Sequence, residues 1–577
     1  MSVAGAVPSD MRPTIEAAEA LLAQRFGFPC FRASQRRAVS AVLAGRDVLA
    51  VMPTGGGKSL CFQVPALLLD GLTVVLSPLV SLMKDQVDTL LRRGLPAVAL
   101  HGGMTGGEQA DALSRAIHGE AKLLYVAPER LVTGATLQTL SRLRVSLLAV
   151  DEAHCISEWG HEFRPSYRAL QSMRRTLGSP PVIALTATAT PAVRDDIAHV
   201  CGLRTPVRVV AGFDRPNLRY VVHRVSRAAD RDHQIQQRVP VRDGASIVYA
   251  ASRARVERIA ASLARVGVSA AAYHAGQAPE LRRVTQERFM AGVITTIVAT
   301  SAFGMGVDKA NVRVVVHDAM PGSLESYYQE AGRAGRDAAA AECVLLYARG
   351  DRRSPEYFIQ SAAPARQVIE RAYESALAIG AGGAPIDATA AASHAKLSRG
   401  QIRGALAILV RAGALREEVG DPGAIWVRLL ASAARIRETC APGSLERDLL
   451  RALWSSSRGA IASGASLPHS ALPPGLGEVG LASALDALMR ASMLVWRRPR
   501  SGLVIAHAAV SSNQIRVDWV SVAEHRRSAL SRLSAMIRYA EAQTCRREVL
   551  LGYFGDGLNG RRCAGCDCCD RRDSGRA

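Results

Sequence analysis

Three things are scarce in this chain of 577 residues, and each scarcity removes a class of explanation. No stretch approaches the roughly 18 to 20 consecutive apolar residues that a bilayer-spanning helix needs. The opening MSVAGAVPSDMRPTIEAAEA carries Pro, Asp and Glu where a secretory leader would be apolar, so the chain reads as soluble and cytoplasmic, with no membrane partner. Cysteines in disulfide-like order are missing too: seven are scattered singly up to Cys545, and the other four crowd into residues 563–569. That distribution excludes a disulfide framework and points to metal at one end. Cys30, Cys61, Cys155, Cys201, Cys343 and Cys440 read as small hydrophobes or neutral surface residues without a role. Lysine is nearly absent, with five residues, so the positive charge is arginine; a GC-rich coding sequence gives that skew, and it carries no function by itself.

What is present is a surplus of cations. Against 51 Asp and Glu stand 72 Lys and Arg, a net charge of +21, which argues for a polyanionic partner, nucleic acid before an acidic membrane surface. Apolar residues at 48% and charged ones at 21% exclude a disordered or fibrous chain. At roughly 150 residues per domain, the length predicts about four domains.

From about residue 46 to 348 one theme repeats: a short apolar run, polar or glycine chemistry at its C-terminal end, then a helical stretch. The runs lie at 47–52, 73–78, 123–129, 147–154 and 182–190, and again at 246–252, 270–276, 296–303, 313–318 and 343–348. This βα rhythm predicts an α/β fold of two parallel-sheet lobes, 25–205 and 206–350, after an N-terminal segment 1–24. Functional groups at strand ends then belong in the crevice between lobes. Beyond residue 350 the pattern turns helical. Segments 397–418 and 480–507 each place an amphipathic helix before a short hairpin, which suggests winged helices at 366–432 and 440–510 or, equally, an ordinary helical linker domain. Trp496, Arg497, Arg498 and Arg500, in a turn of the second, are a candidate strand-separating pin.

VMPTGGGKS places Thr54, Gly55, Gly56, Gly57, Lys58 and Ser59 directly after a strand, where backbone N–H groups can nest around phosphate oxygens. Lys58 would hold the β- and γ-phosphates and Ser59 a Mg²⁺ ion, although Met52 stands where the strict P-loop pattern has its first Gly. LLAVDEAH supplies Asp151 for Mg²⁺ and Glu152 to accept a proton from the attacking water. Cys545, Cys563, Cys566 and Cys569 form the ligand set of a structural Zn²⁺ site within a helical module at 515–572, with Cys568 able to replace Cys569.

TGGGKS (54–59), LSPLVSLMKDQV (76–87), YVAPERL (125–131), DEAHCISEWGHEFRPSY (151–167), LTATAT (185–190), ATSAFGMGVDK (299–309), QEAGRAGRD (329–337) and CRREVLLGYFG with CAGCD near the end resemble the RecQ family of superfamily 2 DNA helicases. The resemblance implies two RecA-like lobes and a zinc module. It implies ATP and Mg²⁺ use and 3′ to 5′ unwinding of duplex or branched DNA in repair and recombination, in the nucleoid if the source is bacterial. It further implies that Phe28 and Arg32 sandwich adenine, that Gln35 bonds its edge, and that Asp308 approaches the ribose or the finger arginine. Arg336 is the main arginine finger, with Arg333 beside it. Ser77, Trp159, Phe163, Arg164, Tyr167, Ser252, Arg253 and His274 are the expected DNA contacts, and Thr186 and Thr188 link hydrolysis to DNA. The family's common layout puts the zinc module directly after the motor; here nearly 200 residues intervene. A translocase or RNA helicase without DNA unwinding, and a non-enzymatic DNA-binding or annealing scaffold, are the competing readings. No motif names a protein partner such as a single-strand-binding protein.

Overall fold

The structure is a computed structural model that describes residues 13–574 except 54, 133, 158–164, 240–243, 305–308, 381–383, 419–423, 469–477, 499–501, 507–510 and 564. The chain divides into two compact units, one of residues 1–355 with 528–577 and the other of residues 356–527.

The first unit holds two parallel sheets. In the first lobe, β1 (Val48–Val51), β2 (Leu72–Leu76), β3 (Ala97–Leu100), β4 (Leu123–Val126), β5 (Val145–Val150), β6 (Val182–Thr186) and β7 (Val207–Val210) lie in the order β3-β4-β2-β5-β6-β1-β7. Strands β1, β2, β4 and β6 are buried along their whole length, as runs covered by helices on both faces must be. In the second lobe, β8 (Leu218–Arg224), β9 (Ala245–Tyr249), β10 (Ala270–Tyr273), β11 (Thr296–Ala299), β12 (Val312–His317) and β13 (Ala341–Tyr347) take the order β10-β11-β9-β12-β13-β8. Strands β3, β7 and β8 are additions to the expected set. Because β7 pairs with β1 from Val48↔Val207 to Val51↔Val210, the first sheet runs on to Val210 and the lobe boundary falls beyond it rather than at 205/206.

The zinc module docks on this unit although it arrives long after it in sequence. Arg547, with a side chain 1% exposed, donates to Asp214 Oδ1 at 2.6 Å, to Arg215 O at 2.8 Å and to Leu218 O. Phe554 stacks on Phe213 at 4.6 Å between ring centroids and 9° between planes, and Phe213 N donates to Asp556 Oδ2 at 2.8 Å. Arg194 of the first lobe donates to Phe554 O at 2.5 Å, while Tyr553 donates to Glu325 of the second at 2.7 Å. The module thus grips both lobes and the segment joining them.

The second unit contains two interleaved cores, which corrects the expected division at 432/440. The outer core is built from helices Arg366–Ile379, Ala388–Ala395 and Arg399–Arg411 with β14 (Leu415–Glu418), joined by Leu503, Ile505, Ile515, Val517 and Trp519 from the far end of the unit. The inner core comprises β15 (Ala424–Leu429), helix Leu445–Ser456, β16 (Ala465–Pro468), helix Glu478–Arg490 and β17 (Leu494–Arg497). Strand β14 pairs not with β15 but with β18 (Gly502–Ile505), from Leu415↔Ile505 to Glu418↔Gly502. Ile386 bridges Leu503 on the other side of β18, so the outer core has the strand order of a winged helix. In the inner core β15 lies between β16 and β17, the same order with the middle strand supplied from the N-terminal side. Trp496 and Arg497 do not project as a pin: Trp496 Nε1 donates to Asp486 Oδ1 at 2.9 Å, and Arg497 donates to Glu418 at 2.8 Å while lying over Trp426. Arg500 lies outside the described residues. Among the described residues no helix is long and apolar enough to cross a membrane.

Candidate active site

The glycine turn after β1 has the shape that phosphate binding needs. Gly55 and Gly57 have φ of 78° and 68°, the left-handed region that glycine enters without a Cβ penalty. A Cβ on Gly56 would come within 2.8 Å of Pro53 O, and one on Gly57 would strike the Gln35 amide, so side chains are excluded from the cradle. Among the described residues the amide N–H groups of Gly57, Lys58 and Ser59 have no acceptor, and Ser59 caps helix Leu60–Leu68, where helix dipole and orphan amides favour an anion. Lys58 Nζ rests 3.5 Å from Met52 O. Thr54 lies outside the described residues.

The expected adenine contacts gather beside this turn. Gln35 accepts from Arg32 N at 2.8 Å through Oε1 and donates through Nε2 to Gly56 O at 2.9 Å and Gly57 O at 3.2 Å. Arg32 also donates to Gly55 O at 3.3 Å, and Phe28 is 50% exposed, leaving a ring face open.

Asp151 ends β5 next to the turn, 3% exposed, and accepts from Gln86 Nε2 at 3.2 Å and Glu152 N at 3.0 Å. Burial, reinforced by the Glu152 charge, pushes its carboxyl up to about 6, against the pull of Lys58. A buried carboxylate with a hydroxyl-bearing Ser59 near the cradle is a donor set suited to a hard, oxygen-seeking cation such as Mg²⁺. Glu152 has φ of 47°, a left-handed backbone that costs a non-glycine residue about 1 kcal/mol or more. Its carboxylate stands 3.3 Å from His154 Nδ1, which is also 2.9 Å from Thr186 Oγ1. Thr186 Oγ1 in turn accepts from Thr188 N at 3.2 Å, and Thr188 Oγ1 accepts from Gln329 Nε2 of the second lobe at 3.0 Å. Glu152 is thereby wired to the opposite lobe. Gln86, His154 and Gln329 were not singled out from sequence; their signal was position alone, each lying within or next to a motif.

The two arginines of QEAGRAGRD have different nearest glycines. Arg336 lies over the glycine turn: a Cβ on Gly55 would sit 3.8 Å from its Cγ. Arg333, 7% exposed, faces Tyr249 and lies over Gly304 inside its own lobe. The turn carrying them is fixed from the segment between the lobes: Arg215 donates to Gly332 O, Ala334 O and Gly335 O at 3.2, 3.0 and 2.8 Å, and Asn217 to Gly335 O at 2.8 Å. Asp308 lies outside the described residues.

The expected DNA contacts fare unevenly. Trp159, Phe163 and Arg164 lie outside the described residues. Tyr167 is 0% exposed and Ser77 1%, so both are interior groups of the first lobe rather than a stacking face and a backbone contact. His274, 7% exposed, is 2.8 Å from Glu257 Oε1 and is committed to it. Ser252 accepts from Arg255 N at 3.2 Å and caps helix Arg253–Arg265; Arg253 stays exposed, lying over Gly276.

At the other end of the unit, the thiol sulfurs of Cys545, Cys563, Cys566 and Cys569 all lie within 4.8 Å of one another. Four Zn–S bonds of about 2.3 Å in a tetrahedron set sulfurs a little under 4 Å apart, so the cluster fits Zn²⁺. Cys568 is outside it, its Sγ 3.6 Å from Ala542 O and 3.3 Å from an Arg571 nitrogen, which resolves the choice in favour of Cys569.

Comparison with known proteins agrees with this geometry. Residues 32–197 match the DEAD/DEAH box helicase family, 233–338 the helicase conserved C-terminal domain, and 509–570 the RecQ zinc-binding family. The probable ATP-dependent DNA helicase RecS of Bacillus subtilis is 40% identical over 340 residues, 59% of this chain and 68% of that protein. This chain belongs to the RecQ family. The ATP-dependent DNA helicase RecQ of Haemophilus influenzae is 47% identical over 327 residues, 56% of this chain and 52% of that protein. The RecQ chain described here therefore spans about half the length of that relative. Among solved structures, the DUF1998 helicase MrfA bound to DNA and AMPPNP shares the fold, with a TM-score of 0.50 and 23% identity over 59% of this chain and 51% of that one.

Proposed function

We propose that this RecQ-family chain is an ATP-dependent DNA helicase that moves 3′ to 5′ along one strand and separates duplex or branched DNA in repair and recombination. The observation that carries the proposal is Arg336 of one lobe over Gly55 of the other, which makes an ATPase site complete only where both lobes meet.

In this reading Phe28 and Arg32 flank the adenine and Gln35 bonds its edge. The same Gln35 amide braces Gly56 and Gly57, so base recognition and cradle shape share one side chain. The amides of Gly57, Lys58 and Ser59 and the Lys58 ammonium receive the phosphates. Glu152 accepts a proton from the water that attacks the γ-phosphorus; the bond to the β–γ bridging oxygen breaks, and ADP and phosphate leave. Arg336 neutralises charge on the transferring group. Mg²⁺, held by Ser59 and Asp151, would supply further neutralisation, and Zn²⁺ on Cys545, Cys563, Cys566 and Cys569 would cross-link the module that grips both lobes. Opening and closing of the lobes on a single strand then ratchets it, with Arg253 offering an exposed cation.

A strand-displacement assay on 3′- and 5′-tailed duplexes tests this. Only the parent chain with ATP and a 3′ tail should release the labelled strand. Release from a 5′ tail alone, or equal release by Lys58→Ala, would refute the proposal.

A further inference from the structure

One arginine of the first lobe fastens the turn that carries Thr188 to the zinc module. Strand β6 ends at Thr186, and helix Pro191–Val200 follows with Thr190 as its cap. In the turn between them, Ala189 is 1% exposed, and its carbonyl lies outside the helix's own hydrogen-bond ladder, which begins with Thr190 O accepting from Arg194 N at 3.0 Å. Arg194, one turn into the helix, reaches back to that carbonyl: its Nε donates to Ala189 O at 3.0 Å. The same guanidinium donates through Nη2 to Phe554 O of the zinc module at 2.5 Å and lies over the Phe213 ring at 5.4 Å. Among the described residues no other donor reaches either carbonyl.

The joint is packed as well as bonded. A Cβ added to Gly555, at φ of 72°, would meet Pro191 Cγ at 2.9 Å, so the turn of the module abuts the first residue of the helix. Phe213, beneath the guanidinium, stacks on Phe554 and meets Tyr328 edge-on at 5.9 Å, while Tyr328 donates to Phe213 O at 2.8 Å. Tyr328 directly precedes Gln329, the residue that donates to Thr188 Oγ1. The Thr188 turn is therefore held at two points. Gln329 holds it from the second lobe, and Arg194 holds it from its own helix, through an anchor that runs by Phe554 and Phe213 back to Tyr328. Arg208, on the neighbouring strand β7, is paired with exposed Asp195 at 2.7 Å and makes no such bridge.

We propose that Arg194 is a positioning residue for DNA-stimulated ATP hydrolysis, fastening Ala189 to the carbonyl of Phe554 so that Thr188 stays within reach of Gln329. The planar guanidinium suits this task, because its fork spans two carbonyls at once while its face lies on an aromatic ring. Arg194 acts through Thr188 and touches neither the nucleotide nor the attacking water, so it governs turnover with DNA bound rather than affinity for ATP. The proposal rests on the reading of the motor as a DNA-stimulated ATPase and names a residue, outside the nucleotide cradle, on which that stimulation depends.

The test is phosphate release by the full chain across a range of ATP concentrations, with and without a saturating single-stranded DNA oligonucleotide, beside zinc content by elemental analysis. Arg194→Lys keeps a cation near Phe213 but replaces the fork with a compact ammonium. Its kcat with DNA should fall by about fivefold or more, its KM for ATP should stay within about twofold of the parent, and its zinc should remain at about one per chain. Arg194→Ala should fall at least as far. Arg208→Ala, which removes a nearby exposed cation, should match the parent. A cycle with Gln329→Ala separates positioning from general weakening of the fold. If Arg194 serves by holding Thr188 for Gln329, Arg194→Lys/Gln329→Ala should be no slower with DNA than the slower single variant. Full DNA-stimulated turnover by Arg194→Lys, losses that multiply in the double variant, or loss of zinc from Arg194→Lys overturns the proposal. If the parent shows no DNA-stimulated phosphate release, the reading of the motor falls and this role with it; if the parent is stimulated and Arg194→Lys is equally fast, only the role of Arg194 falls.

Discussion

Arg336 of the second lobe lies over Gly55 of the first, close enough that a Cβ on the glycine would meet its aliphatic stem at 3.8 Å. The guanidinium is thus carried to the phosphate cradle by a turn that belongs to the other sheet. Arg336→Ala should lower DNA-stimulated phosphate release by on the order of 10³-fold with little change in melting temperature. Arg333→Ala, which removes a buried group facing Tyr249, should instead lower the melting temperature. Comparing phosphate release with thermal melts of the two variants separates the roles; an equal pattern in both refutes the assignment.

Gly57→Ala should abolish tight nucleotide binding. The added methyl meets the Gln35 amide in a left-handed backbone that costs an alanine about 1 to 2 kcal/mol. Titration with a fluorescent ATP analogue should show at least tenfold weaker binding, whereas Gly94→Ala, at φ of 68° but with nothing within 4 Å, should bind normally.

Arg547 joins the zinc module to the segment between the lobes through three acceptors, and a lysine cannot reach all of them. Arg547→Ala leaves buried acceptors unpaired and should cost about 3 to 5 kcal/mol in denaturant melts. Arg547→Lys should recover less than half. Phosphate release should fall as well, because Arg215 in the same segment holds the turn that aims Arg336.

Zinc content distinguishes the tandem cysteines. Cys569→Ser should reduce bound zinc, measured by elemental analysis, from about one per chain towards zero, while Cys568→Ser should retain it, since only Cys569 belongs to the four-sulfur cluster. Retention by Cys569→Ser would show that another group completes the site.

Gln329→Ala should leave nucleotide affinity unchanged and diminish the stimulation of phosphate release by single-stranded DNA, because the bond to Thr188 is the cross-lobe end of the chain that leads back to Glu152. A double-mutant cycle with Thr188→Val should show the two losses to be non-additive.

Sequence reading found those strands whose residues are uniformly apolar and those motifs whose chemistry is crowded into a few residues. It missed β3 because AVAL is short and alanine-rich, β7 because VRVV is half exposed at the sheet edge, and β8 because LRYVVHR interleaves arginine and histidine with its core face. The cradle, Asp151, Glu152 and the four-cysteine set were legible since each occupies a contiguous motif or a short spacing. The different glycines that Arg333 and Arg336 lie over were not, because both follow the end of the helix Leu324–Ala331, where helical spacing no longer says which way a side chain points. Tyr167 and His274 read as surface contacts because their neighbours are polar; both are buried, His274 against Glu257 of the preceding helix.

The outer core of the second unit can be closed only by a strand made late. A ribosome delivers Leu415 and then the whole inner core before it delivers Ile505, so the inner core has every chance to fold first and bring the waiting edge of β14 to the newcomer β18. A lesion confined to the inner core would therefore be felt first as a failure of its neighbour to assemble, and as a trapped, half-built edge exposed to other chains.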